Sequence, residues 1–284
     1  MSGPPEMNGV RHDYVDAAGL RMHVALAGPD DGPAVLLVHG WPQHWWAWRR
    51  VIPALAQKFR LIMPDLRGHG WTQAPRGGYD KEQLAGDLLA ALDVLGVERV
   101  TWIGHDWGGW IGFLAALRHP ARFDRMLALC IPHPWAPPDP RRLALMLSYQ
   151  GPLSLPVLGP RVAGLVLPAL LQAGRGRDRL PDADVALFAE HIPPEVSVAM
   201  YRTFLSAELV PIARGRYADR VLAVPTGLMI GERDLVTRGM ATGSVDGQPH
   251  LQVATVHDVA HWVPEQRAQA VIDWVREGRL GAVT

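Results

Sequence analysis

The chain has 284 residues, 48% hydrophobic and 20% charged, and its 28 basic and 28 acidic side chains cancel to zero net charge. That length allows one full α/β core with a smaller insertion, and the charge balance leaves no basic surface for nucleic acid or an acidic membrane. The single cysteine, Cys130 in the apolar run MLALCI, permits no disulfide within the chain and reads as a buried small hydrophobe in a reducing cytoplasm.

The N-terminal MSGPPEMNGVRHDY lacks an apolar core, so no signal peptide is expected. DYVDA and LRMHVALAG alternate about Gly19 as an opening hairpin. Apolar strands are predicted at Ala34–Val38, Arg60–Pro64, Arg99–Ile103 and Met126–Ile131, separated by helical segments, which indicates a parallel sheet covered on both faces. One helix carries a capping-box signature in Asp80 and Gln83, an apolar face of Leu84, Leu88, Leu92 and Leu95, and a stop at Gly96. Beyond Ile131 prolines crowd together and the chain becomes helical and apolar to about Leu209. Within it Leu153–Leu171 is broken by Pro156, Pro160, Pro168 and Arg161, so it reads as a buried helical segment of a soluble protein and not as a membrane span. Sheet patterning resumes at Val221–Gly231 and Leu251–Val256, and a last helix covers Pro264–Gly278. The simplest organisation is a core of residues 1–133 and 219–284 with a helical cap of residues 134–218 inserted in it.

The stretch IGHDWGGW places Gly104-x-Asp106-x-Gly108 between a β-branched run and a small-residue helix. Apart from its central residue this is the G-x-S-x-G nucleophile elbow, a strand-to-helix turn that lifts one side chain above the sheet. An elbow nucleophile needs a base, a group to orient that base, and donors for developing negative charge. In chain order an acid and then a histidine follow. Asp234 in GERD, just past the Val221–Gly231 strand, fills the first role. For the second, His257 and His261 compete in VHDVAHWVPE, and the position of His261 immediately before Trp262 and a Pro-initiated helix favours it. The backbone N–H groups of Trp107 and of Trp41, in the loop HGWPQ, are the expected oxyanion donors. His39 and His105 read as structural, since no role is left for them.

Taken in order, HGWPQHWWAWR, DLRGHGWT, GHDWGG, GERD and HWVPE resemble the epoxide hydrolases of the α/β-hydrolase fold and their dehalogenase relatives, from about Asp13 to the last helix. The resemblance implies a mostly parallel sheet with helices on both faces and an inserted helical cap. It also implies two cap tyrosines above the nucleophile, and Tyr149 in LSYQGPLSLP and Tyr201 in AMYRTF fall at those places. Aspartate suits such a reaction. Serine opening an epoxide would leave an ether that water cannot cleave, whereas a carboxylate leaves an ester that activated water hydrolyses. Trp41, Trp107, Tyr149 and Tyr201 are the expected substrate contacts, with Trp45 and Trp46 near them in sequence.

The implied substrate pair is a small apolar or aromatic epoxide and water. No metal or organic cofactor is expected, because HExxH, paired-cysteine, Walker and dinucleotide patterns are all missing. A homodimer is left open. A haloalkane dehalogenase is the nearest alternative, but Trp41 stands where many dehalogenases have Asn or Glu, and two phenols have no use there. Fluoroacetate-type dehalogenases place arginines where this chain has Trp107 and Trp110. A ligand carrier on the same fold is the alternative of another class.

Overall fold

The computed structural model describes residues 3–137, 139–173 and 180–278. Nine strands form one sheet: β1 (Val10–Ala17), β2 (Leu20–Ala27), β3 (Ala34–Val38), β4 (Arg60–Pro64), β5 (Val100–His105), β6 (Phe123–Leu129), β7 (Thr226–Gly231), β8 (Gly243–Val245) and β9 (Gln248–Val256). Their order is β1-β2-β4-β3-β5-β6-β7-β9-β8. The hairpin β1–β2 joins the sheet antiparallel at β4, the run from β4 to β9 is parallel, and β8 closes the edge antiparallel. This is the α/β-hydrolase architecture.

Helices α1 (Ile52–Leu55), α2 (Lys81–Val94) and α3 (Trp107–Arg118) precede β6; α4 (Pro140–Leu153), α5 (Gly159–Ala173), α6 (Asp182–Glu190), α7 (Pro194–Thr203) and α8 (Leu209–Ala213) lie between β6 and β7; α9 (Val263–Gln266) and α10 (Ala268–Glu277) follow β9. Successive side chains of a strand point to opposite faces, so β3 divides its apolar residues between two layers. Leu36 and Val38 join Trp102, Ile111 and Leu88 on one face; Val35 and Leu37 join Trp45, Trp48 and Val275 on the other. Burial on both sides is why these strands are continuously apolar.

Several expected boundaries move. The strand expected at Met126–Ile131 is β6, which begins at Phe123 and ends at Leu129, and the one expected at Val221–Gly231 is β7, which begins only at Thr226, after Pro225. The last helix divides at Arg267, whose φ of −141° and ψ of 53° are not helical. Asp80 caps α2 by accepting from the Gln83 N–H at 2.9 Å, but the Gln83 amide turns to Asp87 at 2.9 Å, so the capping box is half made. Leu153–Leu171 is not the buried segment its composition suggests. Among the described side chains of α5 only the stripe Gly159, Ala163, Leu167 and Leu171 is buried, and Leu165 is 80% exposed. The helical run Pro194–Ala213 has the length and hydropathy of a membrane span, yet here it buries Met200, Tyr201 and Phe204 in the same apolar layer as Trp107.

The elbow depends on two close approaches. A Cβ at Gly104 would lie 2.2 Å from the Gly108 carbonyl oxygen, and one at Gly108 would lie 2.2 Å from that of Val38. Gly104→Ala is therefore expected to cost about 1–3 kcal/mol, lowering the thermal midpoint by roughly 5 °C on a circular-dichroism melt; an unchanged midpoint would contradict this packing.

Candidate active site

Three loops at the carboxyl ends of parallel strands carry the ionisable groups, the place where open α/β sheets bind ligands. Asp106 follows β5, Asp234 follows β7 and His261 follows β9. Asp106 has φ 51° and ψ −123°, a conformation that non-glycine residues avoid. It is fixed there by its N–H to the Leu129 carbonyl at 2.9 Å and by its own carbonyl, which accepts from Gly109 at 2.9 Å and Trp110 at 3.2 Å.

Its carboxylate is partly buried. Oδ2 accepts from the Trp41 backbone N–H at 3.0 Å, and the Trp107 N–H also bonds to the carboxylate. Gly40 makes room for it, since a Cβ there would meet Oδ2 at 2.5 Å. Burial raises the Asp106 pKa, against the opposing pull of His261 and the two N–H donors.

His261 Nδ1 lies 3.1 Å from Asp234 Oδ1, and its Nε2 faces Asp106 Oδ1 at 3.8 Å. The second distance is too long for a hydrogen bond. Asp234 is fully buried and also accepts from the N–H groups of Val236 and Thr237 and from the Thr237 hydroxyl. Burial alone would raise its pKa, but His261 and these donors bring it below the ordinary value. Burial alone would lower that of His261, but the Asp234 charge and hydrogen bond, with Asp106 beyond, lift it above 6.5. His257 stands apart, largely exposed beside Glu232 at 3.4 Å. His39 is structural, Nδ1 meeting the Gly40 carbonyl at 2.9 Å and Nε2 accepting from the Leu66 N–H at 3.0 Å. His105 donates from Nε2 to the His261 carbonyl at 2.8 Å, and burial pushes its pKa down to about 3.

Two phenols stand over this group. The rings of Tyr149, on α4, and Tyr201, on α7, meet edge to face at 6.2 Å. Tyr149 Oη accepts from the Gln150 amide at 3.0 Å, and the Tyr201 ring lies 6.3 Å from that of Trp107. The Tyr149 oxygen thus has a donor of its own, which leaves its O–H proton free for a ligand. Burial raises both phenol pKa values, so both are protonated at neutral pH.

A cavity of about 320 Å³ opens on Asp106, Trp107 and Tyr149, and its wall is mostly apolar, including Trp110, Met146 and Phe204. Asp139, Arg142 and His133 add a polar stretch to it. Contrary to the sequence expectation, Trp41 and Tyr201 do not line it. The Tyr201 ring is packed between those of Trp41 at 5.1 Å and Tyr149 at 6.2 Å, and the Trp41 indole N–H is bound to Ser197 Oγ at 2.8 Å. Trp45 is core, and the Trp46 indole N–H goes to Asp184 at 2.8 Å.

Four contributors escaped the sequence reading: Gln150, Ser197, Phe204 and the buried Lys81. None has a motif, and each is recruited only by tertiary packing. His105, Cys130 and His261 bring ligand atoms within 4.8 Å of one another, a spacing a metal ion could use. The fit is poor, because Asp234 engages His261 Nδ1 and burial holds the Cys130 thiol well above the range of a ready thiolate.

The family model of the α/β hydrolase fold matches residues 33–268. The chain belongs to that family. Over 120 residues it is 42% identical to the soluble epoxide hydrolase of Corynebacterium sp. (strain C12), a stretch covering 42% of this chain and 41% of that relative. The matched stretch is thus less than half the length of that curated relative. Solved structures match along nearly the whole chain. The ligand-free epoxide hydrolase CorEH superposes with a TM-score of 0.82 at 28% identity, covering 94% of this chain and 97% of that one. Epoxide hydrolase VrEH1 from Vigna radiata does so at 0.78 and 27%, covering 96% and 99%.

The opposed pulls on His261 give a direct test. Asp234→Asn removes the negative charge that does most to lift its pKa, so burial should dominate and the imidazole should titrate below 6.5, where the parent titrates above it. Imidazole NMR resonances followed against pH read this out; an unmoved midpoint would contradict the coupling.

Proposed function

We propose that this protein opens an apolar epoxide to a vicinal diol through an ester on Asp106. The observation that carries the reading is the pairing of a desolvated elbow carboxylate with two protonated phenols, one of which, Tyr149, lines the cavity and already has a donor to its oxygen. In the first half-reaction an Asp106 oxygen attacks a ring carbon from behind. The carbon–oxygen bond breaks, and the departing oxygen takes a proton from Tyr149, which lines the cavity. Ring strain assists the departure, but an unprotonated alkoxide is a poor leaving group, which is why phenols are needed.

In the second half-reaction His261, oriented by Asp234, takes a proton from water in the gap before Asp106. The resulting hydroxide attacks the ester carbonyl carbon, and the N–H groups of Trp41 and Trp107 hold the oxyanion. Collapse of that intermediate expels the diol oxygen, which takes the imidazolium proton, and the carboxylic acid left on Asp106 gives its proton back to the phenolate, so that both groups are restored. The apolar part of the wall favours an apolar or aromatic substrate. The epoxide hydrolases among its relatives agree with the epoxide reading.

The two half-reactions separate in a variant. His261→Gln keeps the nucleophile and the phenols but loses the base, so one equivalent of styrene oxide is expected to remain attached to the peptide containing Asp106, seen by mass spectrometry. His257→Gln is expected to turn over like the parent. A ligand carrier would form no adduct in either protein, and that result would refute the reading.

A further inference from the structure

Gln150 lies near the end of α4, one residue after the phenol that lines the cavity, and is itself buried in the cavity wall. Side chains of adjacent helical residues normally diverge. The Gln150 amide turns back all the same, and its Nε2 donates to Tyr149 Oη at 3.0 Å. Among the described residues that is the amide's one hydrogen bond, and its carbonyl oxygen Oε1 is buried with no partner.

An unpaired amide oxygen is costly to bury. Methionine would fill much the same space without that cost, so packing alone does not account for a glutamine there. What the amide supplies is one N–H at one phenol oxygen. Among the described residues no other group donates to that oxygen. A phenol oxygen that accepts this bond still has its own O–H to give elsewhere. The bond is modest while the phenol is neutral and strengthens when its acceptor gains charge. Burial raises the Tyr149 pKa, the Gln150 bond opposes that rise, and the charges of Asp106 and Asp234 add to it. The amide is thus the one neighbour that favours the ionised phenol.

Building on the epoxide-opening reading, we propose that Gln150 is a positioning residue for ring opening: its amide N–H holds the Tyr149 oxygen with the O–H proton left for the substrate, and supports the negative charge that oxygen gains. In that step the Tyr149 O–H bond breaks and the proton passes to the epoxide oxygen, while the ring carbon–oxygen bond breaks and the Asp106 ester bond forms. The phenolate keeps the Gln150 bond until the Asp106 carboxylic acid returns a proton to it after ester hydrolysis. The bond is therefore present equally in the ester and in the transition state of its hydrolysis, and it cancels from the second rate. Gln150 acts on one half-reaction only.

Single-turnover rapid quench with enzyme in excess over styrene oxide measures both steps, as ester on Asp106 and then as diol. Gln150→Met keeps the length of the side chain and removes the donor. It is expected to slow ester formation about tenfold, the difference between a hydrogen bond to a charged acceptor and one to a neutral acceptor. Ester hydrolysis should stay within about twofold of the parent. With Tyr149→Phe in the same chain the donor has nothing to act on, so the double variant should form ester no more slowly than Tyr149→Phe alone. Ester formation at the parent rate in Gln150→Met, equal slowing of both steps, or losses that multiply in the double variant would overturn the proposal. Faster ester formation would overturn it too, since the amide would then be turned the other way and would tie up the phenol proton. If Gln150→Met lacks the parent circular-dichroism spectrum, Gln150→Glu decides. A protonated carboxyl can donate to the phenol and a carboxylate cannot, so ester formation should fall about tenfold as pH rises through that titration. A pH profile of the parent's shape would overturn the proposal. A parent protein that forms no ester at all would remove the epoxide reading, and the proposal with it.

Discussion

The site is organised around one charge held where water is scarce. The Asp106 carboxylate sits on a turn with positive φ and is met by two backbone N–H groups, that of Trp41 from the loop after β3 and that of the next residue, Trp107. Carboxylates are normally weak nucleophiles because water solvates them well. Here fixed amide dipoles stand in for part of that hydration. In the proposed reaction the same N–H groups would hold the oxygen of the tetrahedral intermediate, so one pair of donors would serve both the resting anion and the later oxyanion.

The glycines around the elbow follow from that demand. Gly40, Gly104 and Gly108 are each in contact too close for a Cβ, and together they let the HGWP loop, β5 and α3 converge on one side chain. Asp234 and His261 supply the complementary element. A buried acid lifts the histidine's affinity for a proton, and the histidine stops short of Asp106 by a gap of 3.8 Å. The helices inserted between β6 and β7 add the phenols and the apolar wall. Tyr149 and Tyr201 come from different helices, and the ring of the second packs against those of Trp41 and Trp107.

Much of this was legible in the sequence because it resides in short loops at strand ends, where spacing is fixed by the fold. Asp106, Asp234 and His261 could be read from GHDWGG, GERD and HWVPE, and the structure brings those three side chains together. The strands were legible because burial on both faces leaves an unbroken apolar run. Burial of whole segments was not. Leu153–Leu171 looks like core by composition, yet α5 packs through a stripe of every fourth residue and leaves Leu165 in solvent. Lys81 misleads in the opposite sense. A lysine after an N-cap reads as solvated, and only the approach of Trp107, Phe204 and Glu208 from distant parts of the chain encloses it. Neighbourhood in sequence failed likewise for Trp45 and Trp46, because the turn of helix after HGWPQ carries them to the other face of the sheet.

The central claim is that the oxygen delivered to the product comes first from Asp106 and not from water. One turnover in water enriched in oxygen-18, with enzyme in excess over styrene oxide, separates the two routes. The ester route gives an unlabelled diol, and the peptide containing Asp106 gains about two mass units because the label enters the carboxylate during hydrolysis. A diol labelled in that first turnover, with Asp106 left unlabelled, would mean that water opens the ring directly and would contradict the account.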